Sequence, residues 1–198
     1  MIICGIDYSL SSPAICVHEG DEWHYDNCKF YYFFKSKKET DRIPLERFYG
    51  VRYPELWTSD SDRYHKISQW AISIMLGMAE GGNGILSKPD KCFVEGYSFG
   101  SVGRVFQIAE NTGVLKYRIA HQQEIPLQTF APTEIKKFAT GKGNANKEAM
   151  GIAFISDTGV DILAQCDIIP KSNAVNDIVD AYYIAKLGFM RESDDSNI

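Results

Sequence analysis

Short apolar runs separated by turn-forming residues open the chain. Ile2 to Ile6 is an apolar run that ends at Asp7, and strand-like runs continue over Ala14 to His18 and Trp23 to Phe34. The turn-forming segment Ser9 to Pro13 separates the first two runs. This pattern predicts a three-stranded antiparallel meander.

The rest of the chain alternates between helical and strand-like spacing. Apolar residues three or four apart predict a helix over Asp62 to Glu80, whereas Cys92 to Val94 is a compact strand that ends at Glu95. The order βββαβαβα, with extra helices near the end, predicts an α/β fold in which helices cover both faces of a mixed sheet. The other predicted elements are a helix over Gly103 to Gln122, a strand over Ile125 to Phe130, and helices over Thr133 to Ala139, Lys147 to Asp157 and Ala174 to Met190.

Two segments lack these patterns within an expected single domain of 198 residues. Charged and aromatic residues with two prolines predict irregular chain from Lys35 to Asp62, and residues 35–61 look like an insertion. Its Tyr49, Tyr53 and Trp57 either pack on the protein body or offer stacking surfaces to a nucleic-acid base. The polar, acidic tail 192–198 is expected to be disordered.

The five cysteines favour a reducing compartment over a disulfide framework, because they are odd in number and lack a C-x-x-C pair. Cys16, His18, His24 and Cys28 could converge across a hairpin as zinc ligands, but ordinary strand side chains are the favoured interpretation. No stretch is apolar enough for a membrane span, and no signal peptide is indicated, so we expect an intracellular, cytoplasmic protein.

Four acids are predicted to meet at one edge of the sheet. Asp7 and Glu95 each end a strand, and Asp177 and Asp180 lie three apart at the start of the last helix, where they share a face. The alternative for the helical pair is a favourable interaction with the helix dipole. Clustered carboxylates repel each other unless divalent cations relieve the conflict, so we expect two Mg²⁺ ions, with Mn²⁺ as a substitute. Such a pair suits phosphodiester hydrolysis.

A basic stretch runs from Ala131 to Lys147. It contains four lysines against one glutamate, and its glycines let backbone N–H groups approach a phosphate. The glycine spacing excludes a nucleotide-binding P-loop, and the alternative interpretation is a flexible turn with solvated lysines. The net charge of −5 does not exclude DNA binding, because acidic and basic residues are about equal once the four clustered acids and the acidic tail are set aside.

These segments together resemble the RuvC family of Holliday junction resolvases. GIDYSLSSPAI resembles the family's first strand with its catalytic Asp, here Asp7, and FVEGYSF its central strand with the catalytic Glu, here Glu95. TGKGNANK resembles the family's loop before a helix, and NDIVDA its closing helix with Asp177 and Asp180. The four motifs follow the family's order over nearly the whole chain.

The resemblance implies an RNase H-like fold and a homodimer that makes paired, Mg²⁺-dependent nicks across a four-way DNA junction. It makes Lys142 and Lys147 phosphate contacts, and it places an aromatic after the catalytic Glu, a position bracketed by Tyr97 and Phe99. Tyr182 stands where some relatives have a catalytic His, which indicates a divergent, viral or otherwise atypical member. The full predicted DNA-binding set is Lys136, Lys137, Lys142, Lys147, Tyr97, Phe99 and Arg104.

Two other functions compete with junction resolution. A broader debranching nuclease would cut flaps, forks and branched DNA with the same acids. A DNA-binding protein without catalytic activity would keep the fold alone, but four clustered acids would then cost stability without a use.

Overall fold

The protein is described by a computed structural model that covers residues 1–34, 43–53, 56–78, 88–97, 105–166 and 173–195. Six strands in these ranges form one mixed sheet in the order β4-β3-β2-β1-β5-β6. The strands are β1 (Ile2–Asp7), β2 (Ala14–Glu19), β3 (Cys28–Phe34), β4 (Phe48–Arg52), β5 (Lys91–Glu95) and β6 (Leu127–Phe130).

Strand direction places five carboxyl ends at the same edge of the sheet. The first three strands form the predicted antiparallel meander, β5 lies parallel to β1, and β6 lies parallel to β5. On the other side of the meander, β4 lies parallel to β3. Only β2, among the six described strands, runs in the opposite direction, so the loops that leave the other five emerge together.

The strand β4 corrects the prediction of irregular chain between Lys35 and Asp62. Aromatic side chains account for it: Phe48 stacks on Phe30 with ring centroids 4.7 Å apart, and Tyr49 stacks on Tyr31 at 5.1 Å. Such cross-strand pairs stabilise a sheet even where the flanking composition is polar. Residues 35–42, 54 and 55 lie outside the described residues.

Helices cover both faces of the sheet, as predicted. One layer contains α1 (Asp60–Met75) and α2 (Val105–Tyr117), which a π-helical turn continues over Arg118–Gln122; α6 (Asn173–Asp195) packs on the other face. No described helix is both long and apolar enough to cross a membrane. On the α6 side also lie α3 (Pro132–Thr140), α4 (Lys147–Thr158) and the short α5 (Ile162–Cys166), which was not predicted.

The long helix α6 lies directly on β1. A Cβ atom added to Gly5 would come within 2.2 Å of the Ala185 backbone nitrogen, so the absence of a side chain permits this close approach. The helix also continues through Asp195, and Glu192 pairs with Lys91 at 2.7 Å. Residues 192–195 are therefore helical rather than part of a disordered tail, and residues 196–198 lie outside the described residues.

Candidate active site

Asp7 and Glu95 lie side by side at the carboxyl edge of the sheet. The last residues paired between β1 and β5 are Ile6 and Val94, and the two acids follow them directly on parallel strands. Asp7 is only 9% exposed. The apolar runs that form these strands therefore deliver both carboxylates to the same place, as the sequence predicts.

The first turns of α6 bring Asp177 and Asp180 to the same acids. Both carboxylates raise the pKa of Glu95, and both also raise that of Asp7. The neighbouring Ile178 and Val179 are buried and anchor this end of the helix in the core. The structure thus gathers all four predicted acids, and α6 holds its pair over β1 by the contact at Gly5.

The electrostatics of this cluster disfavour four simultaneous negative charges. Burial, followed by Asp177, Glu95 and Asp180, raises the pKa of Asp7 well above its usual range. Burial and the neighbouring acids raise the pKa of Glu95 to about 7, and burial raises that of Asp180 to about 6. The site therefore attracts either protons or cations.

Two lysines oppose this negative charge. Lys136 on α3 lowers the pKa of Glu95 and Asp180, and Lys147 at the start of α4 lowers that of Asp7 and Asp180. Lys137 is exposed on the next position of α3 and does not line the site. All four lysines of this stretch were predicted to contact DNA, and the family resemblance singled out Lys142 and Lys147. In the structure, Lys136 and Lys147 are the lysines of this stretch that act on the acids.

The donor set of the cluster suits a hard divalent cation. Carboxylate oxygens are the ligands that Mg²⁺ and Mn²⁺ prefer, and their mutual repulsion is what such an ion relieves. Within the described residues, no three His, Cys, Asp or Glu side chains are already grouped as a metal site. The four acids nevertheless act on one another's charge, since Asp177 and Asp180 raise the pKa of both Asp7 and Glu95.

A cavity of about 330 Å³ opens beside Asp7 and Glu95. Its wall includes Lys136 and residues outside the predicted site, such as Ser9, which lies two residues after Asp7. A larger, open depression of about 630 Å³ at the amino end of β6 does not include the acids. The cavity beside the acids is lined by Asp7, Tyr8, Ser9, Glu95, Gly96, Tyr97, Val105, Ile108, Thr112, Pro132 and Lys136.

Tyr97 is the one predicted aromatic contact that the described residues include. It is 42% exposed, its hydroxyl donates to the Ala109 carbonyl at 3.2 Å, and the Lys116 ammonium lies 5.3 Å from its ring centroid. The ring therefore lies at the mouth of the site. Phe99 and Arg104 lie outside the described residues.

Tyr182 does not take the place of a catalytic histidine. Its side chain is 1% exposed, and its hydroxyl donates to Asp157 at 2.9 Å and accepts a hydrogen bond from Trp23 at 3.2 Å. Asp157 lies on α4 and Trp23 lies between β2 and β3, so neither partner is one of the four acids. The residue belongs to an aromatic part of the core.

The zinc alternative is disfavoured by the positions of its four candidate ligands, all of which belong to the described residues. His18 is fully buried and stacks on Trp23 with ring centroids 4.4 Å apart. His24 projects outward, with 64% of its side chain exposed. Cys16 and Cys28 are free, buried thiols, so the favoured interpretation as ordinary strand side chains agrees with the structure.

Comparison with known proteins adds a fold assignment. No family model matches the sequence. The structure of Thermus thermophilus RuvC aligns with a TM-score of 0.57 and 15% identity, over 96% of this chain and 98% of that chain. The chain therefore has the RNase H-like fold of RuvC. T. thermophilus RuvC in complex with a Holliday junction substrate aligns equally well, over 93% of this chain and 92% of that chain. At this identity the likeness establishes the fold.

Proposed function

We propose that the protein is a metal-dependent, structure-selective DNA endonuclease that resolves four-way junctions by paired phosphodiester hydrolysis. The observation that carries this proposal is the convergence of Asp7, Glu95, Asp177 and Asp180 at one edge of a RuvC-like sheet. Burial raises the pKa of Asp7, Glu95 and Asp180, and the neighbouring acids raise it further for Asp7 and Glu95. Such a cluster costs stability, so a function that uses it explains its presence.

The four carboxylates would hold two Mg²⁺ ions. Ions in this position would lower the pKa of an attacking water and stabilise the leaving oxygen of the phosphodiester. The remaining work falls to the protein itself: the carboxylates fix the charge and shape of the site, and the cavity beside Asp7 and Glu95 provides space for the sugar and phosphate.

The adjacent lysines support DNA as the substrate. Lys136 and Lys147 are close enough to the acids to act on their pKa values, so a phosphate held by these ammonium groups would lie beside the carboxylates. Asn146 caps α4 by accepting the Ala149 N–H at 2.9 Å, which fixes a positive helix N-terminus next to Lys147. Lys137 and Lys142 are exposed and would extend the phosphate contacts outward.

Four-way junctions are favoured over other DNA by the fold. T. thermophilus RuvC, which has this fold, has a solved structure in complex with a Holliday junction substrate. A junction has two-fold symmetry, and two symmetric nicks require two sites, so we propose that the protein acts as a homodimer.

Cleavage of defined DNA substrates tests the proposal. Wild-type protein is incubated in Mg²⁺ or Mn²⁺ with an end-labelled four-way junction, a flap, a fork and a linear duplex. Asp7→Asn and Glu95→Gln serve as site variants, and Glu46→Gln, an exposed acid before β4, is the matched control. We expect symmetric nicks in the junction from the wild type and Glu46→Gln, and none from the site variants.

The other outcomes are equally informative. Comparable cutting of flaps and forks would identify a broader debranching nuclease. Absence of cutting in both metals, with retained junction binding, would identify a DNA-binding protein without this catalytic activity.

A further inference from the structure

The loop between β1 and β2 directly follows Asp7, the site acid at which β1 ends. It starts after Asp7 and carries Ser9 into the lining of the cavity. The Ser9 hydroxyl accepts the Ser12 N–H at 2.9 Å, which closes the loop on itself, and Leu10 at its tip is 7% exposed. The geometry of this loop therefore determines what stands beside Asp7.

Two side chains from elsewhere in the chain meet the Leu10 carbonyl. The Tyr53 hydroxyl donates to this oxygen at 2.5 Å, and the Arg63 guanidinium donates to it through Nη2 at 2.5 Å. Arg63 also donates through Nε to the Tyr53 hydroxyl oxygen at 2.9 Å. Leu10, Tyr53 and Arg63 thus form a closed set of three hydrogen bonds, which we name the Leu10 clamp.

Aromatic rings hold the guanidinium in place. The Arg63 Cζ atom lies 5.8 Å from the ring centroid of Tyr53 and 5.7 Å from that of Trp57, distances at which a cation is attracted to a ring face. Tyr53 in turn packs edge-on against Phe33 at the end of β3, with centroids 5.5 Å apart. The clamp is therefore anchored to the sheet as well as to the loop.

The start of α1 fixes the backbone from which Arg63 projects. Ser59 caps the helix by accepting the Asp62 N–H at 3.1 Å, and the Asp62 carboxylate accepts the Thr58 N–H at 3.0 Å. This reciprocal capping orders the first helical turn. Arg63 follows at once, so the helix start and the clamp are one continuous structure.

We propose that Tyr53 and Arg63 are positioning residues of the active site, which hold the β1–β2 loop so that Ser9 and Asp7 face the cavity together. The consequence for catalysis rests on the proposed nuclease function, whereas the order of the loop does not. A buried carbonyl with a charged donor and a hydroxyl donor is strongly held, and loss of either donor leaves the others incompletely paired. The clamp also gives a role to Tyr53, a described residue of the segment that was expected to be an insertion.

Conservative variants test the clamp. Tyr53→Phe removes one hydroxyl, and Arg63→Lys keeps the charge but loses the planar guanidinium group. Tyr49→Phe is the control: it removes a hydroxyl from a nearby tyrosine whose ring stacks on Tyr31 and has no part in the clamp. We expect amide exchange of Ser9 to Ser12, measured without DNA, to rise by about tenfold or more in both clamp variants. Single-turnover cleavage of the junction should fall by roughly tenfold while the Kd for the junction changes by less than about twofold.

The two readouts separate the clamp from the nuclease proposal. A wild type that cuts no DNA contradicts the proposed function, whereas amide exchange still tests the clamp. The clamp proposal is overturned if exchange in Tyr53→Phe and Arg63→Lys equals that of the wild type, or if cleavage by an active enzyme is unchanged. It is also overturned if rate and junction affinity fall together, because that result indicates a DNA-contact or folding role instead.

Discussion

Lys136 and Glu95 line the same cavity from different layers of the protein. Burial and the acids of α6 raise the pKa of Glu95 to about 7, and the Lys136 ammonium acts against this rise. The two residues meet because α3 starts directly after β6, at the edge where β5 also ends. Lys136 therefore favours the charged form of Glu95, and likewise that of Asp180.

Removal of the Lys136 charge should raise the pKa of Glu95. In metal-free Lys136→Met, we expect the pKa of Glu95 to rise above about 7, because the burial and the negative charges remain while the opposing cation is gone. Carboxyl-detected NMR titration measures this directly. Lys137→Met is the matched control, since Lys137 lies on the next position of α3 and points away from the cavity lining. Equal shifts in both variants would contradict the assigned role of Lys136.

Glu95→Gln should stabilise the metal-free protein at alkaline pH. Because the folded-state pKa of Glu95 is raised from 4.5 to about 7, the folded protein holds this proton over that window and loses stability as the pH rises through it. At pH 8 the variant avoids this cost, so we expect its free energy of unfolding to exceed that of the wild type by on the order of 1–3 kcal/mol.

Urea denaturation at two pH values measures this effect. The gain should disappear at pH 4, where the carboxyl is protonated in both states, and it should shrink in Mg²⁺ at pH 8. Glu46→Gln, which alters an exposed acid, should show no comparable gain. A Glu95→Gln protein that is no more stable than the wild type at pH 8 would argue against repulsion within the cluster.

The sequence revealed the acids because each belongs to a strong local pattern. Asp7 and Glu95 end apolar runs, and such runs become parallel strands whose ends share an edge. Asp177 and Asp180 share a helical face through their spacing alone. The sequence pattern did not specify how deeply the acids are buried. Their pKa values therefore could not be predicted, because burial and charges from other helices and strands set the pKa of an acid such as Asp7.

Other parts of the site depend on long-range packing. β4 forms because Phe48 and Tyr49 find aromatic partners on β3, which no local pattern of the segment indicates. The Leu10 clamp likewise joins Leu10 to Tyr53 and Arg63, which lie 43 and 53 positions further along the chain. The distinction between Lys136 and Lys137 follows from the orientation of α3 on the sheet, which a basic stretch alone cannot predict.

His18 should make the protein sensitive to acid. It is fully buried between Trp23 and Phe189, with ring centroids 4.4 Å and 4.8 Å away, and burial lowers its pKa from 6.5 to about 4. The unfolded chain therefore binds a proton that the folded protein excludes, and stability falls as the pH drops from about 6.5 to about 4. The full loss is on the order of 2–3 kcal/mol.

His18→Phe should reduce this loss of stability at low pH, while it keeps an aromatic ring stacked on Trp23. Urea midpoints at pH 7 and pH 4.5 measure the difference, and His24→Gln, which changes an exposed histidine, should retain the wild-type loss. The comparison of variant with wild type at each pH cancels the opposite slope that the clustered carboxylates produce. An unchanged loss of stability at low pH in His18→Phe would show that other groups dominate.

Gly5→Ala should move the two acids of α6, Asp177 and Asp180, away from the strand acid Asp7. The added Cβ would lie 2.2 Å from the Ala185 nitrogen and 2.5 Å from the Ala181 carbonyl oxygen, and both are backbone atoms of α6, so the whole helix must move away from β1. We expect a loss of stability of about 1–3 kcal/mol or more. Gly113→Ala is the contrasting control, because its Cβ would meet nothing within 4 Å; there a gain of about 0.5–1 kcal/mol is expected from helix propensity.

The functional consequence of Gly5→Ala distinguishes a displaced helix from general weakening. A shift of α6 carries Asp177 and Asp180 away from Asp7, so under conditions where the variant is still folded, Mg²⁺ should raise its Tm less than that of the wild type. Gly113→Ala should retain the full Mg²⁺ response. If Gly5→Ala is destabilised but responds to Mg²⁺ like the wild type, then the four acids do not depend on the contact between α6 and β1, and the geometry proposed for the metal site is wrong.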